Sequence, residues 1–361
     1  MDDAKKEFRK RLKGKTSQHV NNEQTSCCID KLMISITKGC DESSGELWPS
    51  EKMNESYTIT ISNSKIEIKS PEVWGTLHAL QTVLQLVHRN EFGTLVINES
   101  TIEDSLRFIH WGFVVNSAAH FINVDVMENF LVSLPCILSF STNLTIPQDA
   151  MALVKMNVFH WHITDDSSFP YESSTYPELS KMGAYHPVKF VYGEMLVEQL
   201  LDYARLRGIR VLVEFDTPSH TRSWEKGHPG LRAKCYTKGS PNGETGPFDP
   251  TNKTTMEFLK SFFNETTLRF PERLIHLGGG DISFECWQSN PEILKFMRMQ
   301  GYGDDFGKLE SYYFEQLTAA IQCVQQKWGS ITTVVWEDAF ENGFLVGESL
   351  HLSEYQQFVV F

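Results

Sequence analysis

The 361-residue chain is 41% hydrophobic and 22% charged, a balance that suits a folded protein of about two domains. Its formal net charge of −13, with no broad basic stripe to offset it, speaks against nucleic acid as a partner. No apolar run reaches the roughly 20 residues of a membrane crossing, since the longest candidate, 130–140, is broken by Pro135.

Residues 1–25 hold one basic cluster, Lys5 to Lys15 with Arg9 and Arg11, and are expected as a disordered basic tail. No apolar core of a secretory signal precedes that cluster. Residues 26–105 are expected as a small α/β domain, with strands over 32–37 and 57–61 and a helix over 74–87. From 106 to 345 the pattern changes. Short apolar runs end in polar residues: 154–163 runs into His162, Asp165 and Asp166, and 208–215 into Asp216-Thr-Pro. The run 274–277 ends in three glycines, and 331–336 ends in Glu337-Asp338. Helical stretches such as 195–205 and 309–327 lie between them. Buried strands alternating with helices predict parallel βα units, about five of them before residue 345. Residues 123–147, with their apolar run and Pro135, interrupt the pattern between the first two strands. Residues 346–361 offer no recognisable sixth strand and are expected as a tail.

In a (β/α)₈ barrel the chemistry gathers at the C-terminal strand ends, where His162, Asp165, Asp216, His220, Asp281 and Glu337 fall. Each has a plainer alternative. His160, His162, Asp165 and Asp166 form a metal-like cluster, but on a strand end rather than a helix face, and His160 and Trp161 also suit barrel packing. His220 either pairs with a carboxylate, the usual way to fix an imidazole, or caps the following helix. Trp161, Trp287 and Trp336 suit a sugar surface or a core.

Several motifs taken together resemble the family 20 glycoside hydrolases, the β-N-acetylhexosaminidases, in their animal lysosomal α/β-subunit branch. They are Asn98-Glu-Ser-Thr-Ile-Glu-Asp104, Asn157-Val-Phe-His-Trp-His162-Ile-Thr-Asp165-Asp166, Tyr203-Ala-Arg-Leu-Arg-Gly-Ile-Arg-Val-Leu212, Glu214-Phe-Asp216-Thr-Pro-Ser-His220 and His276-Leu-Gly-Gly-Gly280-Asp281. The resemblance runs from about 55 to about 340. It implies an incomplete (β/α)₈ barrel behind a small α/β domain. It also implies terminal β-linked GlcNAc or GalNAc of glycans or glycolipids as substrate, hydrolysed with retention as the substrate's own acetamido oxygen attacks the anomeric carbon. No cofactor and no metal are implied. Homo- or heterodimers and a lysosomal or secretory location are.

By the same resemblance Asp281 takes the place of the acid, Asp165 contacts a sugar hydroxyl or orients a catalytic partner, and Asp216 with His220 forms a buried relay. His162, Trp336 and Asp338 face the sugar. Cys235 and Cys286 match a family disulfide and Cys40 a half-cystine, out of seven cysteines. Sequons at Asn54, Asn98, Asn143, Asn252 and Asn264 suit a secreted or lysosomal glycoprotein. Departures are equally specific. Where the family has Asp-Glu this chain has Gly280-Asp281, Trp111 replaces an Arg, Asn116 an Asp, and Asp338 a Glu. Asp281 is one methylene shorter than Glu, roughly 1.5 Å of reach, and about 1 Å of misplacement costs ~10²-fold in rate. The competing expectation is a non-catalytic relative that binds glycans or pairs with a catalytic subunit, or a decayed copy.

Overall fold

The computed structural model describes residues 2–14, 29–38, 47–62, 64–132, 150–323, 329–343, 350–352 and 358–359. Asn143, Cys27, Cys28, Cys40 and Cys136 lie outside them. Two compact units are present. One comprises Met1–Gly112, Asn123–Val158 and Asp202–Arg210, and the other comprises the remainder. The expected boundary at 105/106 therefore meets an interleaved chain, because the stretches 123–158 and 202–210 return to the first unit.

In the first unit strict alternation makes strands. Tyr57, Ile59 and Ile61 on Tyr57–Ile61, and Ile66 and Ile68 on Lys65–Ser70, point to one buried face, as the two-residue period of a strand requires. The four-stranded sheet has the order Lys31–Ile36, Lys65–Ser70, Tyr57–Ile61, Ser100–Asp104; the first pair is parallel and the others antiparallel. Helix Val73–Leu86 lays Ala79, Leu80 and Val83 on that face. The strands and helix stand where they were expected.

The basic N-terminus is a correction. Asp2–Gly14 is a helix, not a disordered tail. Ala4 and Phe8, one helical turn apart, pack on the same core, and Arg11 bonds Glu7 at 3.0 Å and Gln81 at 3.1 Å. The charge density hid an i,i+4 apolar pair that is worth little without a surface to cover.

The second sheet has the order Leu350–Leu352, Thr332–Val335, Leu274–Gly278, Arg210–Thr217, Val158–Thr164, Gly112–Asn116, Phe358–Val359. Its outer and central pairings, such as Leu274–Gly278 with Thr332–Val335 and with Arg210–Thr217, are parallel. Every residue of Val158–Thr164, Arg210–Thr217 and Leu274–Gly278 is buried, as strands covered on both faces must be. Behind them, Phe262 of helix Lys253–Arg269 meets Phe215 edge-on at 4.9 Å. The five central strands are those expected. The tail expectation is corrected: 350–352 forms a sixth strand beside Thr332–Val335, and 358–359 pairs with Gly112–Asn116. Three and two residues are too short to carry a periodic signal. Among the described residues the sheet does not close, and these short strands are its edges.

Candidate active site

Alternate residues of a strand share a face, so His160 and His162, Glu214 and Asp216, and His276 and Gly278 each come as a pair. Glu214 is the hub. It is 0% exposed, with Oε2 2.7 Å from His160 Nε2 and 3.2 Å from His162 Nδ1, and Oε1 3.5 Å from His276 Nδ1. The indole Nε1–H of Trp336 donates to Oε1 at 2.7 Å. Burial opposes its ionisation, yet His162, His276 and His160 hold its carboxyl well below the usual range.

The neighbours respond with opposite signs. Burial disfavours charge on His162, but Glu214, with Asp216 and Asp165 beyond, raises it to about 9. Burial brings His276 down to about 3 against the pull of Glu214; its Nδ1 accepts the Gly278 N–H at 3.1 Å, which leaves the proton on Nε2. Burial and the adjacent Glu214 charge push Asp216 well above its ordinary value. Two donor sets, His160–Glu214–His276 and His162–Glu214–Asp216, are close enough to surround a cation. Glu214 is favoured as the anion and His162 as its cationic neighbour, while burial disfavours charge on His276 and Asp216.

A second cluster lies at the strand ends. His220 Nδ1 is 3.0 Å from Asp165 Oδ1, whereas His220 Nε2 is 3.9 Å from Asp216 Oδ2. His220 thus hydrogen-bonds Asp165, while Asp216, the partner implied for it, stands at 3.9 Å. Asp165 also accepts from Asn116 Nδ2 at 2.9 Å and from the Asp166 N–H at 2.6 Å. Although burial opposes it, the bonds to His220 and Asn116 bring Asp165 to about 2. The bond to Asp165 lifts His220 to about 9. His220 does not cap the next helix; Asp166 Oδ1 accepts the Arg222 N–H at 2.8 Å and fills that role.

The glycine loop joins the two clusters. A Cβ on Gly278, whose φ is +87°, would sit 1.8 Å from Asp216 Oδ1, so only glycine fits. Asp216 Oδ1 accepts the Gly279 N–H at 3.2 Å, Trp336 N–H donates to Gly278 O at 2.8 Å, and Ser219 Oγ to Gly280 O at 2.7 Å. Gly280 is different: its Cβ would meet nothing nearer than Trp336 Cδ1, at 3.3 Å. Asp281 is exposed and left-handed, with φ +48°.

Residues 141–357 match the family model described as glycosyl hydrolase family 20, catalytic domain. The chain belongs to glycoside hydrolase family 20. Residues 3–86 match a second model, beta-acetyl hexosaminidase like, which takes in most of the helix Asp2–Gly14. The chain is 39% identical over 346 residues to the beta-hexosaminidase subunit alpha of Bos taurus, covering 95% of this chain and 60% of that protein. It is 42% identical over 319 residues to the human subunit beta, at 88% and 53%. The chitobiase of Flavobacterium johnsoniae superposes with a TM-score of 0.74 at 27% identity, over 96% of this chain and 48% of the other. The chain therefore spans about half to three-fifths of the length of the relatives it matches.

The family 20 departures can be placed on this geometry. Gly280 offers no carboxyl. Trp111 stacks on Phe108 at 6.2 Å, where a guanidinium would offer donors. Asn116 still bonds Asp165. Asp338 lies half-exposed on helix Glu337–Glu341. It faces Glu310, a buried carboxyl raised to about 8 by burial, with Asn342 opposing and Asp338 assisting. Trp336 is half-buried, its ring 5.6 Å from His160 and 4.6 Å from His276. Cys235 and Cys286 form the expected disulfide. Asn54 and Asn98 are exposed, Asn252 caps helix Lys253–Arg269 through Thr254 N–H, and Asn264 is half-buried within it. Sequence reasoning missed Glu214 and His276 and read His160 as packing. The signal was present, since Glu214 stands two residues before Asp216 on a strand and must share its face.

Proposed function

We propose that this chain recognises terminal β-linked N-acetylhexosamine and cleaves it by the substrate-assisted, retaining route, at a rate reduced by its acid loop. The acetamido oxygen attacks its own anomeric carbon as the bond to the leaving oxygen breaks, and Asp281 gives that oxygen its proton. The Asp165–His220 pair and Trp336 position the sugar. With glycine at 280, no side chain there orients the acetamido nitrogen. The observation that carries the reading is the contrast between an assembled Asp165–His220 pair at 3.0 Å and an exposed Asp281 beside a glycine.

The test is a fluorogenic β-GlcNAc substrate with the full chain, with Asp281→Asn, and with the double variant Gly280→Asp/Asp281→Glu. The double variant is expected to be about 10²–10⁴-fold faster, the usual worth of a placed general acid, and Asp281→Asn slower than wild type. Equal turnover by wild type and Asp281→Asn would remove Asp281 from the reaction. No turnover by any form, with no GlcNAc binding, would overturn the reading.

A further inference from the structure

Substrate-assisted cleavage leaves the best-connected carboxylate of the site without a role. Building on that functional reading, we propose that Glu214 is the positioning residue of the site: its one buried carboxylate ties the Trp336 indole, the His162 imidazole and, through Asp216, the backbone of Gly279 into a single sugar-facing wall. Three distances carry this. Oε1 receives Trp336 Nε1–H at 2.7 Å, Oε2 lies 3.2 Å from His162 Nδ1, and Asp216 Oδ1 receives Gly279 N–H at 3.2 Å.

These contacts bring together four strands that no local sequence joins. Trp336 follows the strand Thr332–Val335, His162 lies on Val158–Thr164, Gly279 follows Leu274–Gly278, and Glu214 and Asp216 lie on Arg210–Thr217. Of these residues, Trp336 is the one that borders the Gly280 position, so an indole released from Glu214 would disturb the wall and the acid loop together. The groups facing the two carboxyls are His160 and His162 from one strand, His276 from another, Asp165 and His220 from the strand-end loops, and Tyr313 from helix Phe306–Gln322. Glu214 is the largest source of the charge that favours protonated His162, with Asp216 and Asp165 behind it, so removing it weakens that support and lifts the repulsion that opposes ionisation of Asp216. A residue that only filled space would be replaceable by its amide.

The experiment uses the full chain and Glu214→Gln, which keeps an acceptor and the shape but not the charge. Indole and imidazole resonances are assigned with Trp336→Phe and His162→Asn. In wild type the Trp336 indole proton is expected downfield and protected from exchange, with His162 titrating near 9. In Glu214→Gln that remains folded, the indole resonance should move, His162 should fall toward its ordinary 6.5, and GlcNAc binding should weaken about tenfold, the scale of a bond to a charged group. Identical resonances in both proteins would overturn the proposal. Should the variant fail to fold, the wild-type titration decides alone, and a His162 midpoint near 6.5 overturns it. Wild-type protein that shows the expected resonances but binds no GlcNAc upholds the wiring and sinks the functional reading instead.

Discussion

The strand-borne half of this site and its loop-borne half have opposite characters. Around Glu214 the carboxylate and the imidazoles of His160, His162 and His276 are buried, and the half-buried indole of Trp336 donates to that carboxylate. At Gly280 the backbone is held by Ser219, and the Asp281 side chain beside it is exposed. The difference lies in what each position must satisfy. A buried charge without its partner is costly, so the strand layer tolerates little change, whereas an exposed loop residue answers only to chemistry. A family 20 protein can therefore keep its scaffold intact while its acid pair drifts.

The comparison breaks first if the loop is not the weak half. The double variant Gly280→Asp/Asp281→Glu is expected to raise turnover of the fluorogenic β-GlcNAc substrate by about 10²–10⁴-fold. Next comes the strand half. Glu214→Leu should cost about 3–5 kcal/mol, because it strands a buried protonated His162, and denaturant melts read this directly. A loss below about 1 kcal/mol would show that His162 does not depend on the Glu214 charge.

Two neighbouring glycines sharpen the contrast. Gly278→Ala combines a φ of +87° with a Cβ 1.8 Å from Asp216 Oδ1 and should cost about 1–3 kcal/mol. Gly280→Ala asks Trp336 to yield a few tenths of an ångström and should cost below about 1 kcal/mol. Paired thermal melts rank them, and the reverse order would refute the placement of the loop.

The smallest effect is electrostatic. Asp165, depressed to about 2, contributes stability above its unfolded value near 3.8 and loses it as pH falls through 2. His220, raised to about 9, contributes fully below about 6.5 and loses it as pH rises through 9. The pair is thus intact across the window between them. Both groups are partly exposed, so solvent screens the gain to about 1 kcal/mol or less. Asp165→Asn should flatten both limbs of the stability–pH curve relative to wild type, and an unchanged curve would mean that the pair is not formed.

Much of this was open to a reader of the sequence. Four of the five central strands announced themselves as short apolar runs ending in polar residues, and Asp165, Asp216, His220 and Asp281 stood at their ends. The hydrogen-bond partner of His220 was not readable: Asp165 and Asp216 are both near enough in sequence logic, and only the 3.0 Å and 3.9 Å separations choose between them. The helix Asp2–Gly14 was hidden because its apolar pair has meaning only against the sheet it covers. The strands at 350–352 and 358–359 were hidden because they owe their form to neighbouring edges.

By itself the sequence determined the family, the parallel βα order and the absence of a carboxyl at 280, since motif, period and residue type are local properties, and the family resemblance implied the disulfide pair. Only the tertiary structure decided that Glu214 is the hub and that His220 answers Asp165. It alone also decided that a Cβ at Gly278 is blocked by Asp216 while one at Gly280 meets only the Trp336 ring, at 3.3 Å. These depend on distances between strands far apart in the chain, where burial removes the water that would otherwise make such partners interchangeable.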